Sequence, residues 1–162
     1  ATFARIVESV RAIIDDVRPT RARYSLETMP WMYPDSAESY ERLLAAIDRP
    51  AFGVHLDAVN LICSPQLYYG NAAMIRDFFA RLGPHIVSCH AKDILLAPNL
   101  TVHLSEVRAG LGALDYATFL EEAARLPVPP PIMLEHLSEA AEYAQAAAHI
   151  RRVAAATGTP IR

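Results

Sequence analysis

The apolar residues of this chain change their spacing repeatedly along its length. Between residues 2 and 17 they recur every three or four positions, which is the spacing of an amphipathic helix. The apolar positions of this segment are Phe3, Ile6, Val7, Val10, Ile13, Ile14 and Val17. Pro19 follows two residues later and favours an end to the helix there.

Further helical and extended segments alternate after this first helix. The spacing predicts helices over residues 37–48, 71–82, 115–126 and 138–158. Short apolar runs predict strands over residues 23–28, 52–57, 85–93 and 132–136. Ser36, Asp115 and Ser138 stand where a side chain caps a helix start, and Gly158 stands where a helix ends. The chain therefore reads as one helix followed by four β-loop-α units.

Strands that alternate with helices predict an α/β fold, in which a parallel sheet is covered by helices. In such sheets the functional residues lie in the loops after the carboxyl ends of the strands. Each of the four predicted strands ends near an ionisable residue, and these residues are Glu27, Asp57, His90 and Glu135. Four unrelated strand ends in some other α/β domain remain the alternative interpretation.

The composition is that of a single well-packed domain, and it limits the classes of partner. The chain has 162 residues, 52% hydrophobic and 20% charged, with a formal charge of −3. This charge gives no general attraction for nucleic acid or anionic lipid, so we expect neither a nucleic-acid partner nor a membrane partner. No apolar run approaches the ~20 residues that span a bilayer, and the first residues do not resemble a signal peptide. We therefore expect a cytoplasmic protein in which Cys63 and Cys89 are reduced.

The four strand-end residues suggest a metal site. Three carboxylates on one edge of a sheet repel one another unless a cation neutralises them. Carboxylates with one imidazole suit a divalent ion, with Mn²⁺ as our first expectation and Mg²⁺, Co²⁺ or Zn²⁺ as alternatives. Open positions on such an ion accept two adjacent oxygens of a sugar or hydroxy-carbonyl compound, which polarises the carbonyl and stabilises an enediolate.

Several motifs add a family resemblance to this pattern. HAKD stands at residues 90–93, a GxGxxDY stretch at 110–116, and LEHLSEAAEY at 134–143. With the four strand ends, the chain resembles the xylose-isomerase-like TIM barrels, which include sugar isomerases and epimerases and the endonuclease-IV-type nucleases. The match covers nearly the whole chain and corresponds to strands five to eight of the (β/α)₈ barrel, its C-terminal half.

The resemblance implies roles for the four residues. It makes Glu27, Asp57, His90 and Glu135 the metal ligands, and in the epimerase branch it makes Glu27 and Glu135 the acid and base. The implied activity is a metal-dependent isomerase or epimerase that acts on a small, sugar-like substrate. A hydrolase or lyase on the same metal platform, or a non-catalytic half-barrel, stays open as an alternative.

The chain also departs from the family pattern. Many members have Asp-x-x-His after strand six, whereas this chain has Asp57-Ala-Val-Asn60, and Asn60 is a poor metal ligand that can still bind a hydroxyl. The nuclease branch needs further His and Asp residues after strand seven, where this chain offers only His103. The acidic balance also disfavours binding to a phosphate backbone.

Other polar residues are candidates with a plain alternative. Lys92, Asp93, Arg108 and Trp31 are candidate substrate contacts, together with Asn60. For Asp93 the alternative is a loop cap, for Arg108 a solvated loop side chain, and for Trp31 loop packing. His55 points into the barrel interior beside Asp57, where we favour a satisfied core histidine over a partner of the site. The remaining histidines, His85, His136 and His149, read as structural or exposed.

The length raises a problem for a barrel of this kind. A complete barrel has eight strands and usually ~250 residues, so four strands leave two open edges. The chain also lacks an initiator Met. We therefore expect that it belongs to a longer product that supplies the N-terminal half, or that it was trimmed, or that two chains associate as a homo-oligomer.

Overall fold

The computed structural model describes residues 1–161, which form six helices and six strands. The helices are α1 (Thr2–Val17), α2 (Ala37–Ile47), α3 (Pro65–Tyr69), α4 (Asn71–Leu82), α5 (Tyr116–Arg125) and α6 (Ala140–Thr157). The strands are β1 (Tyr24–Glu27), β2 (Phe52–Asp57), β3 (Ile86–Ala91), β4 (Asp93–Leu96), β5 (Leu104–Val107) and β6 (Ile132–Leu134). Single 3₁₀ turns lie at Val59–Leu61 and Gly83–His85.

Four of the strands form one parallel sheet in the order β1-β2-β3-β6. All six residues of β2 are buried, because β2 is flanked by strands on both sides and covered by helices. This arrangement confirms the predicted α/β fold with parallel strands. Successive helices pack side by side on the outside of the sheet, with α2 against α1 and α4, and α5 against α4 and α6.

The core lies between the sheet and these helices. Its largest fully buried side chains include Tyr40, Leu43, Leu56, Phe78 and Phe119. Tyr40 also carries a polar group into the core, and its hydroxyl lies 2.5 Å from the Leu26 carbonyl oxygen. The same hydroxyl accepts a hydrogen bond from the Leu26 backbone N–H at 3.2 Å. Burial raises the pKa of Tyr40, so this helix-to-sheet link stays neutral.

The strand register brings the polar residues to one face of the sheet. Glu27 pairs with His55, Asp57 pairs with His90, and His90 pairs with Met133. Partners in register share a face, and so do residues two apart in one strand. The face that carries these residues is the one opposite the helices, and we call it the inner face.

An irregularity in the pairing of β2 with β3 sets this alignment. Val54 pairs with Ile86 but His55 pairs with Ser88, so Val87 is the extra residue. Gly53 permits the close approach, since a Cβ there would meet Val87 Cγ1 at 2.6 Å. Without this shift, Asp57 would not stand opposite His90.

The structure corrects the sequence prediction after His90. A single strand over 85–93 is wrong, because β3 ends at Ala91 and the chain turns away at Lys92. β4 then pairs with β5 as an antiparallel hairpin, in a segment where no hairpin was predicted. The two strands are four residues each and a seven-residue loop separates them, so neither a long apolar run nor a tight turn marked the hairpin.

Three smaller corrections concern element ends and a loop. β6 stops at Leu134, because His136 has φ 55° and cannot continue a strand. Ser138 does not cap α6, which begins at Ala140, and its hydroxyl instead donates to Glu142 Oε2 at 3.2 Å. The short helix α3 lies where only a loop was expected, with Ser64 as its cap.

In residues 1–161, no helix combines the length and the apolar character that a membrane crossing requires.

Candidate metal centre

Four side chains from the carboxyl ends of the parallel strands converge at one place on the inner face. Glu27, Asp57, His90 and Glu135 each offer one ligand atom within 4.8 Å of the ligand atoms of the other three. His90 lies between the two glutamates, with its Nδ1 3.1 Å from Glu27 Oε1 and 3.0 Å from Glu135 Oε1. The same nitrogen lies 3.7 Å from Asp57 Oδ2. The sequence predicted these four residues, and the strand register brings them together.

Asp57 is the most buried of the four, and the backbone around it is held tightly. The carboxylate oxygen Oδ1 accepts a hydrogen bond from the Asn60 N–H at 3.1 Å, in the turn that follows β2. The Thr28 hydroxyl donates to the Asp57 carbonyl oxygen at 2.7 Å and accepts from the Asp57 N–H at 2.9 Å. Thr28 is itself fully buried. Nothing in the sequence pattern marks Thr28 except its position after Glu27.

Asn60 lies against Glu27. Its Nδ2 donates to Glu27 Oε1 at 3.2 Å and to the Thr28 carbonyl oxygen at 3.1 Å. The amide therefore orients a carboxylate of the cluster. This role differs from the substrate contact that was predicted for Asn60.

His55 lies directly below His90 on the inner face. The two rings are 4.1 Å apart in an edge-to-face arrangement, and His55 Nδ1 lies 2.6 Å from the Ser88 hydroxyl. Burial lowers the pKa of His55, and the neighbouring His90 lowers it further. His55 Nε2 is buried without a hydrogen-bond partner. The prediction of a core histidine with both ring nitrogens hydrogen-bonded therefore holds for Nδ1 and not for Nε2.

Lys92 completes the cluster from the end of β3. Its Nζ lies 2.7 Å from Glu135 Oε1, 2.8 Å from Asp57 Oδ2 and 3.0 Å from Glu106 Oε2. Burial by itself would lower the pKa of Lys92, but the contacts with Asp57 and Glu135 outweigh it and raise the pKa. The contacts with Asp57 and Glu135 thus favour the charged ammonium form of Lys92.

Glu106 and His136 lie beside Lys92 and Glu135; Glu106 was not among the predicted site residues, whereas His136 was predicted to be structural or exposed. Glu106 belongs to β5, and its Oε1 lies 2.8 Å from His136 Nδ1. His136 Nε2 in turn lies 3.4 Å from Glu135 Oε2. His136 adopts a left-handed backbone conformation, which is uncommon for a residue with a side chain and recurs at functional sites. Glu106 reaches Lys92 from the β4-β5 hairpin, which was not predicted.

Three other residues were predicted to contact substrate, and their hydrogen bonds are made outside this cluster. Asp93 is buried and accepts hydrogen bonds from the backbone N–H groups of Ile94, Gly110 and Leu114, at 2.8 to 2.9 Å. The structure thus favours the loop-capping role of Asp93 over contact with substrate. Arg108 donates to the Ala109 carbonyl oxygen at 3.2 Å. Trp31, in the loop after β1, is 75% exposed.

The donor set fits a divalent cation. Asp57 Oδ2 and Glu135 Oε1 are buried, and the Lys92 ammonium lies 2.8 and 2.7 Å from them. One ammonium group offsets only part of the negative charge that the carboxylates bring together here, which favours a further cation. Three carboxylates and one imidazole, with no thiolate among them, suit Mn²⁺ or Mg²⁺ and also admit Zn²⁺.

Comparisons with known proteins identify the family and the fold of the chain. A family model described as "Xylose isomerase-like TIM barrel" matches residues 1–153. No curated protein sequence matches the chain. Among solved structures, a xylose isomerase domain protein from Planctomyces limnophilus is similar with a TM-score of 0.74 and 20% identity, over 97% of this chain and 54% of its own.

Two other solved structures are similar over the same region. A xylose isomerase-like TIM barrel protein from Mycobacterium smegmatis, in complex with magnesium, has a TM-score of 0.72 and 17% identity over 96% of this chain and 51% of its own. A D-tagatose 3-epimerase-like protein has a TM-score of 0.67 and 16% identity over 96% of this chain and 54% of its own. The chain thus spans about half the length of the solved structures that it matches.

Proposed function

The chain belongs to the xylose isomerase-like TIM barrel family, and we propose that it contributes the metal centre of a divalent-metal-dependent isomerase or epimerase. The substrate class is a sugar or a related hydroxy-carbonyl compound. The observation that carries this proposal is the convergence of Glu27, Asp57, His90 and Glu135 within 4.8 Å of one another.

The similar structures support the coarse function. One is named a D-tagatose 3-epimerase-like protein and another a D-psicose 3-epimerase, solved in the presence of D-fructose. Both share under 25% identity with this chain, so their similarity supports the fold alone. The proposed reaction rests on the residues of this chain.

The four converging residues are the proposed ligands of the ion. Mn²⁺ is our first choice, and the magnesium bound to the protein from Mycobacterium smegmatis makes Mg²⁺ the main alternative. When bound, a divalent ion would polarise the substrate carbonyl and stabilise negative charge on its oxygen. Asp57 is the firmest anchor, since Thr28 and the Asn60 N–H already fix it.

Glu27 and Glu135 are the proposed acid and base. They flank His90 at nearly equal distances, so their carboxylates face one space from two different strands. In this arrangement one carboxylate takes the proton from the carbon beside the carbonyl, and the other returns a proton to the substrate. General acid-base catalysis of this kind contributes ~10²–10⁴-fold to the rate. Asn60 supports Glu27 by holding Oε1, and the His136 ring near Glu135 Oε2 does the same on the other side.

Three further side chains are proposed to line the substrate space. Lys92 presents a cation beside Asp57 and Glu135. Arg108 can bind an anionic group of the substrate, and Trp31 offers an exposed apolar face. Asp93 is left out, because its oxygens already serve the hairpin.

Proton exchange in D₂O tests the proposed reaction. The protein is incubated with Mn²⁺ and a panel of ketoses, and NMR follows exchange at the carbon beside the carbonyl. We expect Glu135→Gln to slow the exchange about 10²-fold or more at saturating Mn²⁺. Glu139→Gln is the matched control, since Glu139 is exposed four residues further along and makes no side-chain cap. Equal exchange by Glu135→Gln and the unmodified protein would contradict the acid-base role.

A further inference from the structure

Lys92 is the only lysine of the chain, beside fourteen arginines. A lone lysine at this position is notable because it is almost completely buried, with its side chain 3% exposed. Its ammonium group contacts three carboxylates, those of Asp57, Glu106 and Glu135, at 2.7 to 3.0 Å. Burial of an ammonium group is costly unless such contacts compensate for the lost water.

The position of Lys92 relative to the ligands is specific. It contacts Asp57 Oδ2 and Glu135 Oε1 at 2.8 and 2.7 Å, and both of these oxygens are buried. They are also the oxygens nearest to His90 Nδ1 within their carboxylates, at 3.7 and 3.0 Å. Lys92 and a divalent ion would therefore share two ligand atoms.

The charges of the site agree with this sharing. Glu27, Asp57, Glu106 and Glu135 together carry four negative charges when ionised, and the Lys92 ammonium reduces the sum to three. One divalent cation would reduce it to one. Lys92 and the ion would therefore act on the same carboxylates, and each offsets the repulsion among them.

We propose that Lys92 is an internal counter-cation that competes with the divalent ion for Asp57 Oδ2 and Glu135 Oε1, and so sets the affinity of the centre. The inference rests on the proposed metal function. Lys92 stabilises the ion-free centre and weakens the binding of the ion through repulsion between like charges at short range. Lys92 is thus a positioning residue whose effect on affinity is opposite to that of an ordinary supporting residue.

A purely supporting role makes the contrary prediction. If Lys92 only held Asp57 and Glu135 in place, its removal would weaken metal binding, as the loss of supporting residues usually does by ~10–100-fold. Competition predicts that its removal strengthens binding. The sign of the change separates the two roles.

The experiment compares Lys92→Met with the unmodified full-length protein and with Arg49→Met as control. Arg49 is a partly exposed cation whose carboxylate partner is Asp15, outside the site. Calorimetry with Mn²⁺ should give a dissociation constant about 10-fold or more lower for Lys92→Met, and no change for Arg49→Met. In EDTA the melting temperature of Lys92→Met should fall, and Mn²⁺ should raise it by more than it raises that of the unmodified protein. Equal or weaker Mn²⁺ binding by Lys92→Met would overturn the inference.

A second measurement needs no variant and covers the case in which Lys92→Met does not fold. Protein labelled with ¹⁵N-lysine carries one Nζ in this chain, and Mg²⁺ is the diamagnetic probe. Competition predicts that the Lys92 Nζ signal shifts as Mg²⁺ is added and that its protons exchange faster with water. A signal that stays unchanged while Mg²⁺ binds would overturn the inference. If neither the unmodified protein nor Lys92→Met binds Mn²⁺ or Mg²⁺, the proposed metal function itself fails.

Discussion

The Thr28 hydroxyl binds both backbone groups of Asp57, donating to its carbonyl oxygen at 2.7 Å and accepting from its N–H at 2.9 Å. This buried pair joins the end of β1 to the end of β2. Glu27 precedes Thr28 in the sequence, and Asp57 is the hydrogen-bond partner of Thr28. The pair therefore fixes the position of Glu27 relative to Asp57 along the strand direction. The geometry of the centre thus depends on a residue that binds no ion itself.

Thr28→Val tests this dependence with a side chain of the same shape. The Asp57 N–H would lose its partner in a buried place, so we predict a loss of about 1–3 kcal/mol in the free energy of unfolding. We also predict weaker Mn²⁺ binding by ~10-fold, because Asp57 would no longer be held. Denaturant unfolding and calorimetry measure the two effects. Thr20→Val, at an exposed position, is the control, and equal behaviour of the two variants would contradict the assigned role of Thr28.

Asp57→Asn tests the most buried proposed ligand. The amide keeps the volume but removes the charge, so we predict that Mn²⁺ binding weakens by at least about 100-fold, beyond the usual effect of a supporting residue. Calorimetry of the full-length protein measures the loss. Asp16→Asn, an exposed aspartate on α1, should bind Mn²⁺ as the unmodified protein does. An Asp57→Asn variant with full affinity would remove Asp57 from the ligand set.

Gly112→Ala tests the packing of the loop after β5 against Asp93 and Ile94 of β4. A Cβ at Gly112 would meet the Ile94 carbonyl oxygen at 2.3 Å and Asp93 Oδ1 at 2.5 Å, so backbone must move. We predict a destabilisation of about 1–3 kcal/mol, and displacement of Glu106 from Lys92.

Gly158→Ala is the comparison for this variant, since Gly158 has φ 68° but nothing within 4 Å of an added Cβ. Its cost should be about 1 kcal/mol and arise from the backbone alone. Both costs are read from denaturant unfolding. A Gly112→Ala variant no less stable than Gly158→Ala would contradict the close packing.

The open edges of the sheet predict self-association of the isolated 162-residue chain. In residues 1–161, β1 pairs only with β2 and β6 pairs only with β3, so each has one free edge. Met133 lies on the inner face opposite His90 and is 42% exposed. Light scattering should therefore detect dimers or larger species of the isolated chain. A monodisperse monomer that unfolds cooperatively would contradict this prediction.

Much of the fold followed from periodicity and punctuation. The bounds of α1 and α4 match the predicted segments 2–17 and 71–82, because long amphipathic runs with Pro or Gly at their ends leave little ambiguity. The parallel sheet followed from the alternation of strands and helices, and the four strand-end residues followed from the sheet. These are the steps that local pattern can carry.

The remainder of the site depended on three-dimensional arrangement. Glu106 reaches Lys92 only because β4 and β5 pair, and two four-residue strands gave no periodic signal. The end of β3 before Lys92 and the positive φ of His136 are backbone features that the residue types do not predict. Asn60 was named because many members of the family have His at this position, yet its partner is Glu27 on the neighbouring strand. The sequence thus identified residues at the site more readily than it identified their partners.

Glu27, Asp57, His90 and Glu135 are proposed to hold one divalent ion together. Anomalous scattering from a crystal of the protein soaked in Mn²⁺ shows whether they do. We predict a single strong peak on the inner face, within coordination distance of a carboxylate oxygen of each acid and of His90 Nδ1. A peak elsewhere, or no peak in crystals soaked at millimolar Mn²⁺, would contradict the claim.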